Sequence, residues 1–286
     1  MHDVGVVLHP ERDSAEAVTA ILDWAKQRSI EVLGIDSEIK RLRCAATAVT
    51  PAELGRRSDL IVSLGGDGTM LRAMRLVDRQ RAPVLGVNLG KLGFLAEIDV
   101  PDLPDALSAV DAHEYTIEPR LAVDALLGDQ IMTAFNDIAV VRQPGQSGAR
   151  VAIRVDDQPF VSYAADALVV ATPTGSTAYS FSAGGPIVSP SVEALLVTPA
   201  APHSAYNRGL VLSVNDTLAL DILPGSEQLA VEVDGQVAVY VGAGDRIDLQ
   251  PRPAAARVVR LGRTTFYERA RRKLRLTDSA DIFPNY

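Results

Sequence analysis

The stretch that most constrains this chain is Leu64-Gly65-Gly66-Asp67-Gly68-Thr69, a glycine-rich turn with one acid in its middle. The apolar run Asp59-Leu60-Ile61-Val62-Ser63-Leu64 enters it as a predicted strand, and Thr69-Met70-Leu71-Arg72-Ala73-Met74-Arg75 leaves it as a predicted helix. Strand, glycine turn, helix is how an α/β protein presents backbone N–H groups to phosphate. Glycines let the backbone enter the φ > 0 region and let a ligand approach, because no Cβ intervenes. A carboxylate repels phosphate, so Asp67 is out of place in a plain phosphate cradle. It fits a site where it takes a proton from an attacking hydroxyl, or holds a metal that bridges phosphates. Taken locally, an ordinary Asp-Gly turn accounts for the same residues equally well.

The surrounding pattern sets the fold class. Val4 to Leu8, Glu31 to Ile35 and Pro83 to Val87 read as buried strands, and Ala17, Val18, Ile21, Leu22, Trp24 and Ala25 recur at helical spacing. Thr50-Pro51-Ala52-Glu53 reads as a capped helix start. A second glycine-rich loop, Asn88 to Leu95, follows the strand at Val87. Strands alternating with helices predict a mostly parallel, Rossmann-like sheet over residues 1–114, with ligands beyond the carboxyl ends of its strands. After about Pro101 the texture changes. A helix from Leu103 to Val110 leads into β-type patterning: a hairpin from Leu121 to Val141 around Gly128-Asp129, and another from Val151 to Val161 around Asp156-Asp157. Further strands are expected at Ala167–Ala171, Leu210–Val214, Leu218–Leu223, Leu229–Val233, Val237–Val241 and Arg246–Leu249. Residues 115–255 thus read as a β-rich, sandwich-like domain. Pro251 to Ala256 reads as a linker, and 256–286 as a closing segment with a helix from Phe266 to Leu276, free to return to the first domain.

Bulk properties exclude several functions. Hydrophobic residues are 47% of the 286, enough for a substantial core. The net charge of −8 argues against general nucleic-acid binding. The lone Cys44 excludes an internal disulfide and a cysteine-based metal cluster. No metal-ligand spacing is visible, no apolar run is long enough to span a membrane, and Met1-His2-Asp3 does not open a signal peptide. The expected setting is the cytoplasm.

Three other stretches carry chemistry. Ala171 to Pro186 packs hydroxyls, glycines and prolines without a charge, including Thr177, Ala178, Tyr179, Ser180, Phe181 and Ser182. Such a loop suits a base, a ribose or a phosphate. Asn136-Asp137 interrupts the apolar strand Ala134 to Val140, and buried polar groups need partners. Asp166 stands at a strand entrance, where a turn cap explains it as well as a ligand does. Arg72 pairs with a phosphate or lies on a solvated face, and His203 reads as an incidental loop histidine. The basic run Arg269, Arg271, Arg272, Lys273 and Arg275 reads as a solvated helix face. No Walker-type loop, dinucleotide fingerprint or nucleophile elbow is present.

The set Gly65-Gly66-Asp67-Gly68-Thr69, Gly86 to Gly90 with Gly93-Phe94-Leu95, Asn136-Asp137 and Pro173 to Pro186 resembles the NAD kinase family, in the form found in actinobacteria, over almost the whole chain. The resemblance implies phosphoryl transfer from ATP or polyphosphate, with Mg²⁺ or another divalent cation, to the 2′-hydroxyl of the adenosine ribose of NAD. In it Asp67 is the general base. Gly65, Gly66, Gly68 and Thr69 hold donor phosphates. Asp67, Gly68, Arg72, Phe94, Asn136, Asp137, Asp166, Thr177, Ala178, Tyr179, Ser180, Phe181, Ser182 and Gln236 line the NAD site, Asp166 often from across a subunit interface. A homodimer or homotetramer is implied. Three positions depart from the family pattern: Asp137 replaces a glutamate, Ala167 replaces a glycine, and a basic contact beyond the Asn-Asp pair has only Arg150 or Ser147 as counterpart. A related kinase acting on another nucleoside or a lipid, and a non-catalytic NAD(P)-binding protein, are the competing readings.

Overall fold

The computed structural model describes residues 1–90 and 93–276; Lys91 and Leu92 of the second glycine loop lie outside the described residues. The chain forms two compact units, one of Met1–Glu118 with the segment from Ala256 onward, the other of Pro119–Ala255.

The first unit is an α/β layer. Its elements run β1 (Asp3–Leu8), α1 (Ala15–Lys26), β2 (Glu31–Ile35), α2 (Asp36–Leu42), β3 (Thr47–Val49), α3 (Pro51–Arg57), β4 (Leu60–Leu64), α4 (Asp67–Leu76), β5 (Val84–Asn88), β6 (Ile98–Asp99) and α5 (Leu103–Asp111). The strand order is β3-β2-β1-β4-β5, and each of these pairs is parallel. Because β1, β4 and β5 are buried on both faces, they are apolar apart from Asp3, Ser63 and Asn88, and do not alternate. Val18, Ile21 and Trp24 of α1 and Leu103, Leu107 and Val110 of α5 close one apolar core against Val4, Val62 and Leu85. Thr50 caps α3 as its sequence predicts, accepting the Glu53 N–H at 3.2 Å.

The second unit is two layers of antiparallel sheet. Its elements are β7 (Thr116–Leu127, which starts in the first unit), β8 (Gln130–Ala134), β9 (Asp137–Arg142), β10 (Ala149–Val155), β11 (Gln158–Ala165), β12 (Ala167–Ala171), α6 (Tyr179–Ser182), β13 (Ala194–Ala200), β14 (Leu210–Ser213), β15 (Leu218–Ile222), β16 (Leu229–Val233), β17 (Gln236–Val241) and β18 (Arg246–Arg260). One sheet has the order β14-β13-β12-β9-β16-β17. In the other layer β11, β10, β15 and the start of β18 run side by side, with the β7–β8 hairpin. Inward residues of both layers, among them Val123, Val140, Val151, Val170, Leu220 and Val231, form one apolar core. The closing helix, α7 (Phe266–Leu274), belongs to the first unit.

Four expectations are corrected. The helix after the central turn begins at Asp67, so the acid and Gly68 are its first turn, and Gly66 is its N-cap. None of Gly65, Gly66 or Gly68 lies at positive φ. Pro251 to Ala256 is no linker: β18 runs through it, with Ala254 at φ 52° taking up the irregularity of two prolines and Arg252 paired to buried Asp124 at 2.7 Å. Asn136 is not inside a strand, because the chain bends at Phe135-Asn136 and β9 starts at Asp137. The strand β13, an apolar run at Leu195-Leu196-Val197, is an addition to the strands expected from sequence.

Candidate functional site

In the first unit the site begins where β4 ends. Asp67 is the first residue of a ten-residue helix, where the helix dipole favours a negative charge. Its carboxylate is held from the second glycine loop: the Phe94 N–H lies 3.0 and 3.1 Å from its two oxygens, and the Leu95 N–H 3.0 Å from Oδ1. This clamp requires Gly93, since a Cβ there would stand 2.2 Å from Asp67 Oδ1. Lys273 of α7 donates to Oδ2 at 2.9 Å and sits 4.6 Å from the centroid of the Phe94 ring. The Asp67 side chain remains 26% exposed, so a reactant can reach it. A Cβ added to Gly66 or Gly68 would meet nothing within 4 Å, so the turn's backbone is open to a ligand. Thr69 is buried behind the turn. Arg72, one turn further along α4, donates to the Leu8 carbonyl and pairs with buried Glu38 at 2.7 Å.

In the second unit the structure gathers motifs that are far apart in sequence. Thr172 Oγ1 donates to the Phe135 carbonyl at 2.5 Å, and its N–H to the Asn136 carbonyl at 2.9 Å. A Cβ on Gly175 would stand 2.0 Å from the Asn136 carbonyl oxygen, so only glycine permits this approach. The Tyr179 N–H bonds the Asp137 carboxylate, which joins α6 to the start of β9. Asp137 is 3% exposed, and burial, reinforced by the negative charge of Asp234, pushes its carboxyl up to about 7. Thr177 closes a 3₁₀ turn over Thr174–Thr177, Ala178 links it to α6, and Ser180 is buried against Thr198 Oγ1 at 3.0 Å. Tyr179 is half-buried, Phe181 and Ser182 are exposed, and Gln236, opposite Val233, opens β17 beside the Asp137 end of the sheet. Asp166 lies at the far end of β12 from Asp137, but its charge still reaches Tyr179, whose hydroxyl is raised above its usual range by burial and then by Glu232, Asp137 and Asp166. It precedes β12, five residues along the strand from Ala171, which pairs with Asp137; that is about 17 Å at ~3.4 Å per residue.

Both units match family models: residues 4–115 the ATP-NAD kinase N-terminal domain, and residues 135–261 the ATP-NAD kinase C-terminal domain. The chain belongs to the NAD kinase family. Its curated relatives include an NAD kinase of Heliobacterium modesticaldum, 40% identical over 96% of this chain and 99% of that one. Another, from Desulforamulus reducens, is 37% identical over 96% of this chain and 98% of that one. Among solved structures, yeast NADH kinase complexed with NADH matches with TM-score 0.85 and 26% identity, over 99% of this chain and 90% of that one. The NAD kinase of Archaeoglobus fulgidus in complex with ATP matches with TM-score 0.74 and 27% identity, over 96% and 98%. The chain is therefore an enzyme of the NAD kinase type.

The fold also brings in residues to which the sequence assigns no role. Lys273 and Arg269 lie in the run that reads as a solvated face, yet Arg269 is 1% exposed and donates to the Phe94 carbonyl at 3.1 Å. Burial, with Arg260 nearby, holds the Arg269 guanidinium below its usual range. The spacing Phe266, Arg269, Ala270, Lys273 marks one helix face and is the signal that could have found them. Asp234 accepts the N–H groups of Phe135, Asn136 and Asp137, at 2.7 Å for Asn136, and so shapes the bend that presents the Asn-Asp pair. The basic partner at the Asp166 end is Arg142, whose Nε lies 2.6 Å from Oδ1. This hydrogen bond lowers the Asp166 carboxyl below its usual range. The exposed His203 ring stands 3.5 Å from the same oxygen. Ala167 sits in regular strand, so the missing glycine strains nothing. Among the described residues no group of three or more His, Cys, Asp or Glu is arranged to hold a metal ion, and no helix is long and apolar enough to cross a membrane.

Proposed function

We propose that the chain transfers the terminal phosphoryl group of ATP or polyphosphate to the 2′-hydroxyl of the adenosine ribose of NAD, giving NADP. The observation that carries this reading is the clamped carboxylate of Asp67, fixed by two backbone N–H groups at the mouth of an open glycine turn. A secondary alcohol is a poor nucleophile at neutral pH. A fixed carboxylate helps by accepting its proton as the oxygen attacks phosphorus. The Gly65 N–H is spent on the Val87 carbonyl at 2.9 Å, so the N–H groups at the N-terminal end of α4, beginning at Gly66, stabilise the equatorial oxygens of the phosphoryl group in flight. Asp67 is the one carboxylate in the turn and would be the residue to face a divalent cation such as Mg²⁺ brought by the donor, which would supply neutralisation of phosphate charge. Asn136, Asp137 and the Thr177–Ser182 stretch are the adenosine and nicotinamide contacts in this reading.

In this reading the enzyme is a homodimer or homotetramer in which a second copy delivers Asp166. The free Cys44 fits a reducing cytoplasm. Asp67→Asn keeps the shape of the side chain and removes its proton-accepting charge. NADP formation in a coupled assay should fall at least a thousandfold, roughly the upper range for a general base, while calorimetry still detects NAD binding. Turnover near the starting level in this variant would remove Asp67 as the base and with it the proposed mechanism.

A further inference from the structure

We propose that Arg12, in the loop after β1, is a phosphate-binding residue for the donor, gripping phosphates beyond the one transferred. The sheet order places this loop. Strands β2 and β3 lie on one side of β1, and β4 and β5 on the other, so the chain reverses direction across the sheet between β1 and β4. In open α/β sheets the ligand crevice forms at such a point, beyond the strand ends. One wall is the glycine turn after β4; the other is His9 to Asp13 after β1. The two are tied together, since the His9 N–H donates to the Leu64 carbonyl at 2.8 Å.

Arg12 is the residue of that loop with unused capacity. Its Nη1 is buried and has no hydrogen-bond partner, and its guanidinium packs so closely on Gly90 of the second glycine loop that a Cβ there would stand 2.7 Å from Nη1. A buried, unsatisfied guanidinium nitrogen requires a reason, and phosphate oxygens match its donor fork. Two further arginines reach the same loop. Arg41 donates to the carbonyls of Pro10 and His9, and Arg72 to that of Leu8. Burial and then Arg12 hold the His9 imidazole below its ordinary value, Arg41 and Arg72 adding to the effect. Glu11 opposes it, and Glu38 is spent on Arg72. With Arg72 paired to Glu38, and Glu11 and Asp13 in the loop matching Arg41 and Arg12 in charge, the loop has no net positive field, so the case for Arg12 rests on its unsatisfied Nη1 and its place beside the glycine turn.

The inference rests on the kinase reading for the identity of the donor, but the subsite can be measured without turnover. Calorimetry with inorganic tripolyphosphate, with ATP and with long-chain polyphosphate, all without NAD, compares wild type, Arg12→Met, Arg12→Lys and Arg56→Met. The last removes the same charge from an exposed position on α3. Arg12→Met should weaken tripolyphosphate about tenfold or more, the size of one charge-assisted hydrogen bond. Arg12→Lys should recover part of this, Arg56→Met should change nothing, and the KM for NAD should stay put in all. Loss with ATP and polyphosphate alike assigns Arg12 to phosphates that both donors share; loss with polyphosphate alone assigns it to the longer inorganic chain. Equal losses in Arg12→Met and Arg56→Met, or unchanged affinity for every probe, overturn the proposal. Should Arg12→Met melt early, the guanidinium ¹⁵N resonances of wild type must shift on adding tripolyphosphate, and a silent Arg12 signal overturns it too. A wild type that binds tripolyphosphate through Arg12 yet makes no NADP would keep the subsite and discard the kinase reading.

Discussion

At the residue scale, Asp137 shows how burial changes the titration of a carboxyl group. Its carboxyl is pushed up to about 7, first by burial and then by Asp234, so the fold favours its neutral form. The unfolded chain releases that proton near pH 4. Asp137 therefore adds stability that is complete below about pH 4, is lost as pH rises toward 7, and does not change further above it. Asp137→Asn keeps an acceptor for the Tyr179 N–H and cannot ionise. Its melting temperature should exceed that of wild type at pH 8, with the gap narrowing toward pH 5; parallel melting curves across that range would contradict the assignment. The sequence exposed Asp137 as a polar break in an apolar run, but not its state. Protonation depends on the distance to Asp234, 97 residues away, and on how much water the packed chain leaves.

At the scale of elements, the glycine turn, the second glycine loop and α7 work as one device around Asp67. Gly93→Ala places a methyl group against Oδ1, and the carboxylate must leave its two N–H partners. Steady-state kinetics should show kcat reduced about a hundredfold, the usual consequence of a misplacement near 1 Å, with the protein still folded. Lys273→Met removes the cation that steadies Oδ2 and covers Phe94. It should lower kcat about tenfold with little change in the KM for NAD, and Lys273→Arg should restore most of the loss. A fall in Tm without any change in kcat would mean that the lysine only packs. The turn was legible because its glycines and acid are contiguous. The parts of Arg269 and Lys273 in helix α7 were not, since they stand among Arg271, Arg272 and Arg275, which are exposed, and nothing local separates the two sets.

At the scale of the whole molecule, the first unit is built from both ends of the chain. Val258 pairs with Val84, Val259 enters the first unit's core, and Arg260 binds Glu118 and the Leu95 carbonyl. A chain ending at Ala255 should leave that unit without cooperative unfolding by circular dichroism, whereas Pro119–Ala255 keeps its own two-layer core. Light scattering on the intact chain should give the mass of two or four copies; a monomer that is fully active would remove the second copy's Asp166 from the site. The sequence by itself determined the alternation of strand and helix, the β-rich texture that follows, the glycine turn with its acid, and the hydroxyl-rich stretch, because each is a local pattern of side-chain size, polarity and turn propensity. Tertiary structure alone decided that Asp67 is clamped by Phe94 and Leu95, that Lys273 caps it, that Asp234 shapes the Asn136-Asp137 bend, and that Arg12 holds an unused donor. Those depend on which distant segments meet and how much water is left between them, and spacing along a chain does not encode either.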